Sequence, residues 1–113
     1  MQYETAIAKL FHEIATDYAN WCEKSEYGDT DNAYEEKLRE LSISNGRKYD
    51  RIVVNQNGRD SVWGFIVKAD GDKFKEGDIL LAASWASPAT NHARGNIYED
   101  YDICWTSPKY MFS

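Results

Sequence analysis

The hydrophobic periodicity of the chain changes near Gly46, and this change limits the possible folds more than any other feature. Downstream of Gly46, short apolar runs alternate with turn residues, a pattern typical of antiparallel strands. Upstream, apolar residues recur every three to four positions, as on one face of a helix: Ile7, Leu10, Phe11, Ile14, Tyr18, Trp21 and Cys22. We therefore predict an α+β domain with two N-terminal helices packed against an antiparallel sheet of about four strands.

The helical pattern divides into two predicted helices. The first spans about Tyr3 to Lys24, and the second about Ala33 to Ser42. Asn32, followed three positions later by Glu35, resembles a capping box at the start of the second helix. Asn45-Gly46 tolerates a left-handed conformation, so this pair is expected to end that helix.

A hairpin is the clearest strand signal. Lys48 to Gln56 forms an apolar-rich run and leads into Asn57-Gly58, the pair that two-residue hairpin turns prefer because both positions need positive φ. The next run, Ser61–Val67, carries apolar side chains on both alternating faces, which predicts a central strand covered on both sides. Simple alternation places these residues on two faces: Trp63, Phe65 and Val67 opposite Val62 and Ile66.

Two further strands complete the predicted sheet. Ile79 to Ala83 is expected to form the third strand, and about Ile97 to Trp105 the last. At 113 residues the chain fits one domain. We divide this single domain, residues 1–113, into a helical assembly part, residues 1–45, and a part with the sheet and a ligand-binding loop, residues 46–113.

The excess acidic charge is confined to the first part. Residues 1–45 hold ten Asp or Glu and four Lys or Arg, a balance of −6, whereas residues 46–113 hold nine of each. Binding to nucleic acid depends on many Lys and Arg contacts with phosphates, so no nucleic-acid partner is expected. A local cationic cluster is still sufficient for a small phosphorylated ligand, and the second part supplies six candidates: Arg47, Lys48, Arg51, Arg59, Arg94 and Lys109.

Composition also bears on location and cofactors. Hydrophobic residues make up 42% of the chain, but no apolar run is long enough to cross a membrane. The N-terminus lacks the pattern of a signal peptide, so we predict a cytoplasmic protein without a membrane partner. Cys22 and Cys104 lack metal-ligand spacing and are interpreted as buried free thiols. No metal and no cofactor is predicted.

The loop that follows the third predicted strand, residues 82–96, is the candidate binding site. Arg94 offers a rigid fork for phosphate, Gly95 allows close approach of the backbone to a ligand, and Trp85 offers a face on which a base can stack. These features suit an anionic, planar ligand. Alternatively, this is an ordinary loop in which Pro88 and Gly95 are turn residues and Trp85 is anchored in the core.

The sequence contains no recognisable catalytic motif, such as a nucleophile elbow, a P-loop or a zinc-protease helix. His92 has the chemistry to donate to a phosphate or stack on a base, but facing water is an equally good interpretation. Ser84, Ser87 and Thr90 offer hydroxyls, yet the sequence assigns no base that would make any of them a nucleophile. We therefore expect a binding protein and not an enzyme, with no catalytic residues.

Four segments together resemble the phage-encoded Thoeris anti-defence sponges, which capture the cyclic ADP-ribose signal of a bacterial immune system. The segments are Ser61-Val62-Trp63-Gly64-Phe65-Ile66, Gly77-Asp78-Ile79-Leu80, Ala83-Ser84-Trp85-Ala86-Ser87-Pro88-Ala89 and Ala93-Arg94-Gly95-Asn96-Ile97. The resemblance implies a homo-oligomer that assembles through its N-terminal helices and binds a cyclic ADP-ribose isomer, or another cyclic nucleotide, between protomers without turnover. It places the ligand contacts at Ala93, Arg94, Gly95 and Asn96, together with Trp85 and Thr90.

Two other functions are compatible with the sequence. An acidic phage inhibitor could bind a host defence protein directly, with the helices imitating nucleic-acid charge or blocking a basic cleft. An enzyme that cleaves or modifies a nucleotide would need His92 close to an Asp or Glu in the fold.

Overall fold

The computed structural model describes residues 2–24, 32–90, 93–99 and 101–108. In chain order, its elements are α1 (Tyr3–Lys24), α2 (Ala33–Glu40), β1 (Leu41–Ser44), β2 (Tyr49–Gln56), β3 (Arg59–Val67) and β4 (Ile79–Leu80). The strands form one antiparallel sheet in the order β1-β2-β3-β4. The predicted α+β arrangement is confirmed. Within the described ranges, no helix is long and apolar enough to cross a membrane.

Helix α1 covers one face of the sheet, and its bounds match the predicted ones. Its apolar stripe packs against side chains of β1, β2 and β3 in the main core cluster, which includes Leu10, Ile14, Ile52, Trp63 and Ile66. Fully burying an aliphatic or aromatic side chain of this size contributes about 1.5–3 kcal/mol. The 3.6-residue period of the sequence therefore translates directly into this helix–sheet contact.

Helix α2 ends at Glu40, and the prediction that it continues to Ser42 is wrong. The backbone of Leu41 is already extended, and β1 pairs with β2 from Leu41 opposite Val54 onwards. This pairing provides ladder hydrogen bonds and buries Leu41 in the main core, which outweighs continuation of a short helix. The predicted capping box is also wrong, because the side chain of Asn32 makes no capping hydrogen bond.

The predicted hairpin joins β2 to β3. Asn57 and Gly58 have φ values of 53° and 79°, which is the left-handed conformation that this turn requires. The ladder continues from Gln56 opposite Arg59 to Tyr49 opposite Val67. Strand β3 lies between β2 and β4, and residues 63–67 are buried, so the predicted central strand is confirmed.

A β-bulge at Trp63 changes the faces of β3. The register shifts between Ile52 and Val53, which leaves Trp63 opposite no residue of β2. An extra residue moves the following side chains to the other face. Trp63 therefore packs in the core beneath α1, whereas Phe65 and Val67 pack on the opposite face. The prediction that these three residues share one face is wrong for this reason.

The opposite face of the sheet carries a second apolar cluster. Phe65, Val67 and Leu80 are buried there, and partly buried side chains surround them: Tyr49, Val62, Phe74, Ala82 and Ala93. Helices α1 and α2 contribute no residue to this cluster within the described part of the chain. This helix-free face carries the candidate site.

The last predicted strand, about residues 97–105, is not formed. The described part of this segment contains isolated bridges and no strand. Trp63 Nε1 donates a hydrogen bond to Cys104 O at 2.9 Å, and Trp105 N donates to Asp17 Oδ2 at 2.8 Å. These side-chain contacts with β3 and α1 hold the segment, and β1, which the sequence did not predict, takes the fourth place in the sheet.

Candidate functional site

The predicted ligand-binding segment Ala93–Asn96 is part of the folded core. Arg94 N donates to Ile79 O at 2.7 Å and Ile79 N donates to Gly95 O at 2.8 Å, so the segment runs alongside β4. Gly95 has a φ of 139°, a conformation that favours glycine. Ala93 packs against the second apolar cluster. The backbone of this segment therefore lies beside β4, and Ala93 adds to the second apolar cluster.

Both polar side chains of this segment, Arg94 and Asn96, are buried. Arg94 is 3% exposed, so its side chain does not lie on the surface of the predicted binding loop. Asn96 Nδ2 donates to Glu76 O and to Asp78 Oδ1, both at 2.9 Å, while Asn96 Oδ1 accepts from Tyr98 N at 2.9 Å. The amide of Asn96 therefore fixes the turn that precedes β4.

Trp85 is 48% exposed, so it is not the core anchor that the alternative interpretation of this loop required. The guanidinium carbon of Arg51 lies 4.6 Å from the centroid of the Trp85 ring, and Arg51 Nε donates to Trp85 O at 2.8 Å. The ring also lines an open cleft of about 300 Å³ with Asp60–Val62 and Ala82–Ser84. Trp85 thus presents an aromatic surface, but Arg51 covers part of it.

Thr90 is exposed and lines a pocket of about 480 Å³. This volume lies within the range of about 300–1,000 Å³ that is typical of small-molecule sites. His92, the remaining predicted site residue, lies outside the described residues. The predicted loop therefore reaches a pocket of ligand size through Thr90, and the segment 93–96 is held beside β4.

The pocket lined by Thr90 lies on the helix-free face of the sheet, and we call it the Tyr49 pocket. Its apolar lining consists mainly of Tyr49, Val67 and Phe74, which belong to the second apolar cluster. Four cationic side chains line it as well: Arg47, Lys48, Lys68 and Lys73. The other described lining residues are Ala69, Asp70, Gly71, Asp72 and Thr90. The pocket thus combines aromatic surface with cationic groups.

The charge of the Tyr49 pocket is opposite to that of the whole chain. Its described lining contains four cations and two carboxylates, whereas the chain carries a net charge of −6. Lys68 Nζ lies 3.4 Å from Asp50 Oδ1 and donates to Gly46 O at 2.9 Å. Among the described residues, no carboxylate forms an ion pair with the other three cations, Arg47, Lys48 and Lys73. Three positive charges are therefore available to an anion.

Buried Asp50 fixes the loop that carries Arg47 and Lys48. Its carboxylate accepts hydrogen bonds from Tyr3 Oη at 2.5 Å and from Gly46 N at 3.2 Å. Burial, followed by this hydrogen bond to Asp50, raises the pKa of the Tyr3 phenol above its usual value, so the phenol remains a proton donor. The basic loop is thereby tied to the first turn of α1.

Sequence reasoning found part of this pocket. Arg47 and Lys48 were among the candidate cations, and Thr90 was among the site residues, but the cations and aromatic residue of 68–74 were missed. Tyr49 pairs with Val67 across β2 and β3, and this register brings the two ends of the hairpin together. The sequence signal for the pocket was the position of its cations. Arg47 and Lys48 come just before β2, and Lys68 and Lys73, with Phe74, follow β3.

Neither cysteine is among the described residues that line the Tyr49 pocket. In the described ranges, no group of three or more His, Cys, Asp or Glu side chains could hold a metal ion. Cys22 and Cys104 are both free, as predicted, although Cys104 is half-buried and not buried. The described lining of the Tyr49 pocket therefore offers cations, two carboxylates, a hydroxyl and aromatic rings.

The chain belongs to a family of unknown function, DUF7717, because the family model matches residues 1–109. No curated protein and no solved structure matches this chain. The family match covers the helices and the sheet together, so the Tyr49 pocket lies within the domain that defines the family.

Proposed function

We propose that this protein binds and sequesters a phosphorylated nucleotide of the cyclic ADP-ribose type, without turnover, in the Tyr49 pocket. The observation that carries the proposal is a pocket of about 480 Å³ whose described lining combines four cations and two carboxylates with aromatic and aliphatic surface, on an acidic chain. The sequence resemblance to phage anti-defence sponges supports the same ligand class. In this proposal the protein acts in the cytoplasm of the host cell.

The chemistry of the pocket matches the two parts of such a ligand. Charge-assisted hydrogen bonds from Arg47, Lys48 and Lys73 would hold the phosphates, and each such bond contributes about 1.5–3 kcal/mol. Tyr49 and Phe74 offer rings against which a base can pack. Because the basic loop is already fixed through Asp50, little ordering is needed on binding.

Titration calorimetry with cyclic ADP-ribose, ADP-ribose and AMP tests the proposal. We expect a dissociation constant below micromolar for at least one of the two diphosphate ligands, since a sponge must lower the free signal. We expect Arg47→Gln and Lys48→Gln each to weaken binding about tenfold through loss of a charged contact. Arg39→Gln, an exposed arginine of α2, is the matched control and is expected to bind normally.

The fate of the ligand separates sequestration from catalysis. A sponge depletes the ligand from solution and releases it unchanged when the protein is heat-denatured. A changed product would identify an enzyme, and no binding of any of the three probes would refute the proposed function.

The sponge is proposed to act as a homo-oligomer that assembles through its helical side. Trp21 and Leu38, on the helical side of the domain, are 45% and 37% exposed. Large apolar side chains at the surface favour burial against a partner. Light scattering over a wide concentration range tests this part of the proposal, and a monomer throughout would refute it.

Direct inhibition of a basic host protein is the second candidate function. It is supported by an acidic groove of about 380 Å³ between α1 and residues 101–103, lined by Glu13, Asp17 and Asp102 among others. If the protein depletes none of the three nucleotides, and Glu13→Gln weakens its binding to a basic host defence protein, inhibition replaces sequestration as the better proposal.

A further inference from the structure

A smaller compartment adjoins the Tyr49 pocket. It has a volume of about 160 Å³, and Arg47, Lys48 and Tyr49 line both compartments. The other lining residues are Ser44, Asn45, Gly46, Arg51, Phe65 and Ala86. Its volume is below the range of about 300–1,000 Å³ that encloses a whole drug-sized ligand. It is therefore suited to one small group of a ligand whose larger part lies in the Tyr49 pocket.

Among the described lining residues, Arg51 is the cation that lines the smaller compartment and not the Tyr49 pocket. Its guanidinium carbon lies 4.6 Å from the Trp85 ring centroid and 5.8 Å from the Phe65 ring centroid. Its Nε is engaged by Trp85 O, and within the described part of the chain no carboxylate forms an ion pair with it. An arginine that is already oriented loses little side-chain freedom when it binds an anion.

The turn that holds Arg51 is itself fixed by hydrogen bonds. Ala83 N and Ser84 N both donate to Ser87 O at 3.0 Å, and Ser87 N donates to Ser84 Oγ at 3.2 Å. These bonds close the loop whose tip carries Trp85. The position of the Trp85 carbonyl, and with it that of Arg51, is therefore built into the fold.

We propose that Arg51 forms a second anion subsite in the smaller compartment, with Trp85 as its positioning residue. The two compartments together then select ligands with two anionic groups, or a diphosphate, over ligands with a single anionic group. The larger compartment takes the planar part of the ligand, and Arg47 and Lys48 serve both compartments. This inference rests on the proposed function, because it assigns an orientation to the ligand that is proposed to bind in the Tyr49 pocket.

The test compares a diphosphate with a monophosphate that carries the same base. The affinities of wild-type protein for ADP-ribose, cyclic ADP-ribose and AMP are measured by titration calorimetry. We expect the better diphosphate ligand to bind at least tenfold more tightly than AMP. In Arg51→Gln, this preference is expected to fall about tenfold while AMP affinity changes less than twofold. Arg59→Gln, an arginine at the tip of the hairpin, is the matched control.

Two further variants separate positioning from folding. Arg51→Lys retains the charge but loses the planar fork, so we expect part of the diphosphate preference to be lost. Trp85→Leu removes the ring beneath Arg51 but keeps the carbonyl that Arg51 Nε contacts, so we expect a partial loss of preference. We expect an unchanged melting temperature, because Trp85 is exposed. A preference that survives in Arg51→Gln, or an equal loss for both ligand classes, would overturn the subsite. If wild-type protein binds none of the nucleotides, the proposed function fails and the subsite fails with it.

Discussion

The phenol of Tyr3 donates a hydrogen bond to the buried carboxylate of Asp50, which joins the first turn of α1 to the second residue of β2. The same carboxylate accepts from Gly46 N and lies 3.4 Å from Lys68 Nζ. The helical part of the chain thus supports both basic segments that line the Tyr49 pocket. A change at Tyr3 is therefore expected to affect the pocket as well as the core.

Stability is expected to fall at alkaline pH because of Tyr3. Its pKa is raised in the folded state, mainly by burial and then by Asp50, so its contribution is complete below the unfolded value of about 10 and is lost as the pH rises further. We expect Tyr3→Phe to lose about 1.5–3 kcal/mol at pH 7, the value of a hydrogen bond to a charged group. Its stability is also expected to decline less steeply above pH 10.

Urea unfolding of wild type and Tyr3→Phe from pH 8 to 11 measures both effects. Tyr34→Phe is the control, since the Tyr34 hydroxyl contacts His12 at the exposed side of the helices and is expected to leave the alkaline decline unchanged. Equal alkaline slopes in wild type and Tyr3→Phe would contradict this role of Tyr3.

Gly64 tests the packing of the C-terminal segment on β3. A Cβ at this position would lie 2.9 Å from Leu80 O and 3.0 Å from Pro108 Cγ, so backbone or ring must move. We expect Gly64→Ala to lower the free energy of unfolding by about 1–3 kcal/mol, as overpacking does. Gly71→Ala is the control, because the nearest atom, Phe74 O, would be 3.9 Å away. A Gly64→Ala protein as stable as Gly71→Ala would contradict the contact.

Local sequence signals were sufficient for α1 and for the β2–β3 hairpin. The 3.6-residue stripe of α1 is long enough for one face to be identified without knowledge of its partner. A two-residue hairpin turn needs positive φ at both central residues, and Asn57-Gly58 is a pair that adopts it readily. Both elements depend mainly on residues close in sequence. Helix α1 has the predicted bounds, and the hairpin has the predicted turn.

The remaining elements depend on contacts between distant residues. Leu41–Ser44 becomes a strand because β2 is available to pair with it, and Trp63 leaves its expected face because of the bulge opposite Ile52 and Val53. The sequence around Arg94 is typical of a loop, but backbone pairing beside β4 buries the residue. The Tyr49 pocket likewise exists only after the register of β2 and β3 brings its two basic segments together.

The buried side chain of Lys37 is expected to stabilise the fold by packing against aromatic rings. The residue is 2% exposed, and its Nζ lies 4.9 Å from the Tyr18 ring centroid, 5.0 Å from that of Trp105, and 3.1 Å from Glu40 Oε1. Lys37→Ala removes the long side chain and leaves a cavity, so we expect a loss of about 2–5 kcal/mol. Lys37→Met keeps the stem and is expected to lose less. Urea unfolding measures both, and equal losses would contradict a packing contribution of the stem.

The final prediction concerns Arg94, which the sequence placed in a ligand contact and the structure places in the core. Because the side chain is 3% exposed, Arg94→Ala is expected to lower the free energy of unfolding by more than about 2 kcal/mol, the usual result of truncating a long buried side chain. Arg59→Ala, at the exposed tip of the hairpin, is expected to change it by no more than about 0.5 kcal/mol. Cyclic ADP-ribose affinity is then measured at a temperature where Arg94→Ala remains folded, and we expect it to equal that of wild type. Unchanged stability together with lost binding would instead support the ligand contact that the sequence predicts for Arg94.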